Sequence, residues 1–110
     1  MLKLFVNLLL FALPVTSVAE PKDLVAQIID KISYCESRNN PLAWNDNDGR
    51  EGEHSMGILQ MKMKTIQWAS QRYKIQMEDP LNPEFQKKLA RAIIEDGRGQ
   101  THWVNCWKRI

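Results

Sequence analysis

An amphipathic helix leads into a polar segment in the first half of the chain. Apolar residues recur at helical spacing from Leu24 to Cys35, so one face of this helix is predicted to pack inward. Asp23 can cap its N-terminus, and the Asn-Asn-Pro sequence at 39–41 should stop it, because the residue before a proline disfavours helical backbone. Glu36 therefore falls at or just past the C-terminal end of this helix.

The polar segment that follows is rich in turn-forming residues, concentrated at 45–49. Ala43 to Ile58 are predicted to form a loop or a small irregular hairpin. A calcium loop of the EF-hand type is the alternative, but aligning its glycine with Gly49 puts Trp44 and Ser55 at the first and last ligand positions. We therefore expect turn residues here and no metal site.

Three further helices are predicted in the second half of the chain. Apolar residues give Thr65 to Tyr73 a helical face, and a final short helix runs from about Gln100 to Trp107. Between them, Asn82 is placed to cap a helix with proline in its first turn, and this helix should end at Gly97. The sequence predicts one small, mainly helical domain with a short hairpin or loop.

The N-terminal segment has the pattern of a secretory signal peptide. Lys3 gives a positive start, Leu4 to Val18 is almost wholly apolar, and Ser17-Val18-Ala19 is a small-residue cleavage pattern. The apolar run is shorter than the roughly 18 residues of a membrane-spanning helix. We expect cleavage after Ala19, a domain over residues 20–110, a secreted or periplasmic location in the cell envelope, and no stable membrane insertion afterwards.

Two cysteines, Cys35 and Cys106, are the only ones in the sequence. An even count in a small exported chain is most simply explained by one disulfide, and a metal site lacks a second pair of suitably spaced ligands. Closing a loop of about 70 residues would stabilise the fold by about 4 kcal/mol in the chain-entropy model.

Charge excludes one class of partner. Without residues 1–19 the chain has 14 basic and 13 acidic residues, a net charge of +1, and no basic run. A nucleic-acid-binding protein normally presents a basic patch, so we expect no nucleic-acid partner. Nothing in the sequence indicates a cofactor or oligomerisation, and we expect a monomer.

Glu36 is the candidate for acid/base chemistry. The C-terminal end of a helix carries partial negative charge, which disfavours a carboxylate and raises its pKa. Arg38 would oppose this effect if its side chain turned inward, but we expect it to point to solvent.

The ordered motifs around Glu36 resemble those of the lysozyme-like superfamily. Glu36-Ser37, Asn40-Pro41 and the run Ser-Met-Gly-Ile-Leu-Gln at 55–60 resemble the lytic transglycosylase (SLT-type) pattern. The segments Asp-Gly at 48–49 and Asp-Gly-Arg-Gly at 96–99, followed by His-Trp-Val, are similar to animal-type (c-type) lysozymes. The resemblance spans residues 24–108 and implies a mainly α, α+β lysozyme-like fold with the hairpin or loop beside a catalytic cleft.

The resemblance also implies a substrate and roles for individual residues. Glu36 would be the catalytic acid that protonates the oxygen linking two sugars of a peptidoglycan glycan strand, and Trp103 matches the tryptophan beside this glutamate. Ser55, Gln60, Met61 and Trp103 would bind the sugar chain. Asn45 and His54 are also in reach, but solvent-exposed loop positions are the simpler interpretation of both.

The residue at position 55 distinguishes the two reaction types of this superfamily, hydrolysis and transglycosylation. Animal-type lysozymes have their second carboxylate at the matching position, whereas transglycosylases have serine and use the 6-hydroxyl of the substrate as the nucleophile. The resemblance therefore favours an exported lytic transglycosylase that cleaves the β-1,4 bond between N-acetylmuramic acid and N-acetylglucosamine. The transglycosylase segment Ala-Tyr-Asn-Ala-Gly is missing, and Tyr73 is not in a matching context. Either Trp103 and His102 replace the support that the tyrosine of this segment gives the glutamate, or that support is missing.

Two alternatives stay open. A hydrolytic lysozyme (muramidase) would need a second carboxylate from the loop, such as Asp46, Asp48, Glu51 or Glu53. A glycan-binding module without activity on the same scaffold would retain Glu36 without using it.

Overall fold

The computed structural model describes residues 22–46 and 53–110. The predicted signal peptide at 1–19 lies outside these residues. So do Asp48, Gly49 and Glu51 of the polar loop. Within the described ranges, no helix is long and apolar enough to cross a membrane.

Helix α1 (Leu24–Ser37) carries Glu36 as its penultimate residue. The predicted cap is confirmed, because Asp23 Oδ1 accepts the Ala26 N–H at 3.1 Å. The helix ends before the Asn-Asn-Pro sequence, because Arg38 and the following asparagine both adopt left-handed backbone. Glu36 therefore lies inside the last turn of the helix.

Three two-residue strands form an antiparallel sheet in the order β1 (Trp44–Asn45), β2 (Ser55–Met56) and β3 (Met61–Lys62). The first pairing sets Trp44 opposite Met56, and the second sets Ser55 opposite Lys62. The predicted irregular hairpin thus corresponds to β1 and β2. The third strand was not predicted.

The remaining helices are α2 (Met63–Arg72), α3 (Pro83–Glu95), α4 (Gly99–His102) and α5 (Val104–Trp107). Helix α2 begins two residues before the predicted start. Asn82 caps α3 as predicted, and Gly97 has the left-handed backbone expected after it. The predicted single C-terminal helix is two short helices, because Trp103 leaves helical backbone at φ −121°, ψ 57°.

The core forms where α1 and α2 pack on α3, together with the buried turn between β2 and β3. Ile58 and Leu59 of that turn are buried. The other core residues come from every major element and are Ile29, Ile32, Met56, Met61, Ile66, Ala69, Phe85, Leu89, Ala90, Ile93 and Trp103. The predicted disulfide between Cys35 and Cys106 is present and joins α1 to α5.

Gln86 holds the buried turn to α3. This fully buried side chain accepts the Leu59 N–H at 3.0 Å and donates to the carbonyls of Met56 and Pro80, both at 2.9 Å. Gly57 lies against it so closely that a Cβ there would come within 2.3 Å of Gln86 Nε2. A side chain at position 57 would therefore displace the Gln86 amide, and the left-handed backbone there also favours glycine.

Replacing Gln86 by methionine should destabilise the domain by about 3 kcal/mol, because several buried backbone groups would lose their partner. Urea unfolding followed by circular dichroism would measure the change. Gln67→Met on the exposed face of α2 is the matched control and should stay within about 0.5 kcal/mol of the wild type. Equal effects of the two substitutions would contradict this role for Gln86.

Candidate active site

A groove of about 450 Å³ lies between the end of α1, the sheet and the two C-terminal helices. All five residues predicted to act on or bind the glycan line it. These are Glu36, Ser55, Gln60, Met61 and Trp103. Asn45 also lines this groove, whereas His54 packs against Trp44 with 5.3 Å between ring centroids.

Glu36 reaches the groove from the last turn of α1 and contacts the disulfide. Its Oε2 lies 3.5 Å from Cys106 Sγ. A disulfide sulfur carries no proton, so this contact supplies no hydrogen bond to the carboxylate. Arg38 is exposed and donates to the Tyr34 hydroxyl at 2.6 Å, so its guanidinium points away from the groove, as expected.

Ser37 ties the end of α1 to the sheet. Its hydroxyl lies 2.6 Å from the Ile58 carbonyl and 3.1 Å from the Ser33 carbonyl of its own helix. The first contact crosses to the turn between β2 and β3. Because Ser37 follows Glu36 directly, this bond fixes the carboxylate-bearing turn relative to the opposite wall of the groove.

Ser37→Ala should lower the free energy of unfolding by about 1 kcal/mol through loss of the bond to Ile58. Ser37→Thr, which keeps the hydroxyl, should recover most of that loss. Ser33→Ala is the matched control, since the Ser33 hydroxyl donates only to Ile29 of the same helix among the hydrogen bonds resolved here. Thermal unfolding of the three variants would test the tether, and a Thr variant as unstable as the Ala variant would refute it.

Trp103, Ser55 and Met61 form the floor of the groove rather than its rim. Their residues are 3%, 0% and 3% exposed. Trp103 Nε1 donates to the Leu59 carbonyl at 2.9 Å, which fixes the indole in the core. Trp103 is thus a core residue that also forms part of the groove wall.

Gln60 uses its amide nitrogen to shape the loop. Nε2 donates to the carbonyls of Ala43 at 3.1 Å and Gly57 at 3.0 Å. Both partners are acceptors, so the nitrogen must face them, and both of its protons are engaged. Any hydrogen bond from Gln60 to a ligand in the groove would therefore be accepted by its amide oxygen.

The loop carboxylates within the described ranges lie beside other groups. Glu53 contacts Lys62 Nζ at 2.9 Å and lines a separate pocket with Met56. Asp46 accepts from the Trp44 indole N–H and lies 3.6 Å from His54 Nδ1. Among residues 22–46 and 53–110, Glu36 is the only carboxylate that lines the groove.

An aromatic and ionic cluster supports His102 at the groove edge. Trp68 stacks on His102 with 5.3 Å between centroids, and Tyr73 packs edge-on against Trp68. Burial, and then the positive charge of Arg98, lower the pKa of His102, which favours a neutral imidazole at pH 7. Tyr73 itself does not line the groove, and its hydroxyl donates to Asp96 at 2.8 Å.

Asp96 links this cluster, because hydrogen bonds from Tyr73 and Arg98 hold its pKa below the ordinary value of 3.8. A lowered folded-state pKa adds stability above pH 3.8 that is lost as pH falls through the folded pKa. Asp96→Asn should therefore be less stable than wild type near neutral pH, and the difference should vanish in acid. Unfolding midpoints of both proteins between neutral and strongly acidic pH would measure this, and a difference independent of pH would contradict it.

Several groove residues were not predicted from sequence. These are Lys62, Thr65, Thr101, Val104 and Asn105. Thr101 and Asn105 are four residues apart on either side of Trp103, a spacing that could have suggested a shared polar edge. No group of three or more potential metal ligands occurs in the described part of the chain.

A comparison with sequence profiles of protein families matches residues 15–106 to the transglycosylase SLT domain. The match covers most of the chain, including Glu36 and the groove. The chain belongs to the transglycosylase SLT domain family. No curated protein and no solved structure matches it significantly.

Membership of the SLT family implies peptidoglycan cleavage of the lytic transglycosylase type. SLT domains bind peptidoglycan glycan strands. The match begins at residue 15, within the predicted signal peptide, and continues to Cys106.

Proposed function

We propose that this SLT domain is an exported lytic transglycosylase with Glu36 as its only acid/base. It would cleave the β-1,4 bond between N-acetylmuramic acid and N-acetylglucosamine. One observation carries the proposal: Glu36 is the single carboxylate among the described residues that line the groove.

The surroundings of Glu36 suit a group that must hold a proton near neutral pH before it acts as an acid. The C-terminal end of α1 disfavours negative charge, and the disulfide sulfur at 3.5 Å replaces water on one side of the carboxyl group. Trp103 adds an apolar wall to the same groove. A helix C-terminus and apolar neighbours are surroundings that disfavour a carboxylate.

In the first step, the Glu36 carboxyl donates its proton to the bridging oxygen as the bond from that oxygen to C1 of the muramic sugar breaks. The 6-hydroxyl oxygen of the same sugar then bonds to C1. Its proton passes to the Glu36 carboxylate. The products are a 1,6-anhydro end and a free 4-hydroxyl, and Glu36 regains its starting protonation without consuming water.

Ser55 supports this route over hydrolysis. A retaining hydrolase needs a second carboxylate about 5 Å from the first, and the matching position holds a buried serine. Glu53 is the described loop carboxylate nearest to Ser55 in sequence, and it contacts Lys62. A neutral floor below the reacting sugar leaves the substrate hydroxyl as the nucleophile.

Sugar binding in this proposal divides between the floor and the rim of the groove. Ser55, Met61 and Trp103 shape the floor, since all three are buried. The Gln60 amide oxygen would accept hydrogen bonds from sugar hydroxyl groups. Polar rim residues would add further contacts, and they include Asn45, Thr65, Thr101 and Asn105.

Export completes the proposal. Residues 1–19 would direct secretion and be removed, leaving a catalytic domain of residues 20–110 in the cell envelope. An oxidising compartment would also let the disulfide beside Glu36 persist.

Digestion of purified peptidoglycan by the oxidised protein, followed by mass spectrometry of the soluble fragments, tests the proposal. We expect anhydro ends on the muramic sugars. Reducing ends would instead support the hydrolytic alternative. Binding without any fragment release would support the module that has no activity.

A further inference from the structure

A second cavity, of about 630 Å³, adjoins the catalytic groove through the disulfide. Cys35 and Cys106 both line this cavity, while Cys106 Sγ also contacts Glu36 of the groove. Tyr34 and Ile110 add apolar surface and are 53% and 46% exposed. A ligand in this cavity would therefore lie one disulfide away from the proposed acid.

The charged residues that line the second cavity are mainly basic. Lys31, Arg38 and Arg109 contribute three basic groups, against the Asp30 carboxylate and the α-carboxylate of Ile110 at the last position of the sequence. None of the three cations forms an ion pair within 4.0 Å with a carboxylate in residues 22–46 or 53–110. The cavity thus has three basic groups against two acidic ones, next to apolar surface.

Two guanidinium groups lie at this cavity, and one of them is held in place. Arg38 lies over the Tyr34 ring at 4.7 Å from its centroid and donates to the Tyr34 hydroxyl at 2.6 Å. Arg109 Nη1 lies 3.9 Å from Cys35 Sγ. A guanidinium restrained as that of Arg38 loses less entropy when it binds a carboxylate, and the planar donors of both groups match the geometry of a carboxylate.

We propose that this second cavity binds the anionic peptide stem attached to the muramic sugar of the substrate. The inference rests on the proposed function, which supplies a glycan strand in the groove. Stem carboxylates would pair with Arg38 and Arg109, and small apolar stem residues would pack on Tyr34 and Ile110. The stem is attached to the muramic sugar beside the cleaved bond, so it lies near the cavity. Its negative charge matches the arginines, and its apolar residues match the apolar lining.

The test compares wild type with Arg38→Gln/Arg109→Gln on strands that carry stems and on strands stripped of them. We expect KM for stem-bearing strands to rise about tenfold, with kcat unchanged. This is the combined loss of binding expected when two ion pairs near a surface are removed. Kinetics on stripped strands should not change. Lys22→Gln/Lys108→Gln, two exposed lysines outside the cavity, is the control with the same loss of charge and should behave like wild type.

Calorimetric titration with the free stem tetrapeptide provides a readout that needs no catalysis. We expect binding by wild type and by Glu36→Gln, weakened by higher salt and by the double arginine substitution. Tetrapeptide binding without strand cleavage would uphold the cavity and refute the proposed function. Cleavage with equal KM for both strand types and no tetrapeptide binding would overturn the cavity assignment. The assignment would also be overturned if a glutamate-only peptide of the same charge bound with the same affinity as the tetrapeptide.

Discussion

Glu36→Gln is expected to lower the rate of fragment release from peptidoglycan by at least about 10³-fold. Glutamine keeps the shape of the side chain but can neither donate the proton to the bridging oxygen nor accept one from the 6-hydroxyl. General acid/base catalysis by one group contributes about 10² to 10⁴-fold, and here the same group acts in both steps. The rate of soluble muropeptide release, measured by chromatography, is the readout.

Glu53→Gln is the matched control, because it neutralises a carboxylate that contacts Lys62 and lines a different pocket. Its activity should stay within a few fold of wild type. Thermal unfolding should show both variants folded. Undiminished release by Glu36→Gln would refute the assigned role, and equal losses in both variants would point to a second required carboxylate and so to hydrolysis.

Cys35→Ala/Cys106→Ala is expected to destabilise the domain by about 4 kcal/mol. The disulfide closes a separation of 71 residues, and opening it restores chain entropy to the unfolded state. In a domain of this size the change corresponds to a fall of about 20 °C in Tm. Activity should also fall at temperatures where the variant is still folded, because Glu36 would lose its contact with Cys106.

Reduction of the wild type gives the control for this variant. The chain has a single cysteine pair, so a reductant should lower the Tm of wild type to near that of the double variant. The double variant should not respond to the reductant. A wild type whose Tm is insensitive to complete reduction would contradict a stabilising role for the disulfide.

Local sequence signals predicted the helices well where their ends are set by nearby residues. Asp23 and Asn82 are caps because their side chains accept from backbone N–H groups two or three residues away. The disulfide followed from the cysteine count. Fold class was confirmed for the same reason, since helical periodicity dominates the chain.

Features that depend on distant contacts were not predicted. Strand β3 has only two residues and exists because Met61 and Lys62 pair with β2. Trp103 breaks the C-terminal helix while its indole N–H bonds to Leu59, 44 residues away in sequence. Gln86 lies on a helix whose pattern gives no sign that a polar residue would be fully buried.

The groove residues divide in the same way. Motif similarity selected five residues that the structure places along one groove. Motif similarity could not show whether a residue is buried in the groove floor or exposed to a ligand. The burial of Ser55 and the hydrogen-bonded amide nitrogen of Gln60 were therefore not expected. Asn45 was assigned to solvent, because its place beside the groove depends on the pairing of β1 with β2.

The most direct test of the chemistry is digestion of peptidoglycan in water enriched in heavy oxygen, with mass spectrometry of the new chain ends. Attack by the 6-hydroxyl predicts unlabelled anhydro ends that are lighter by one water than hydrolysis products. The Glu36→Gln variant should give neither product. Heavy oxygen at C1 of the muramic sugar, in fragments released by wild type, would contradict a transglycosylase with Glu36 as its only acid/base.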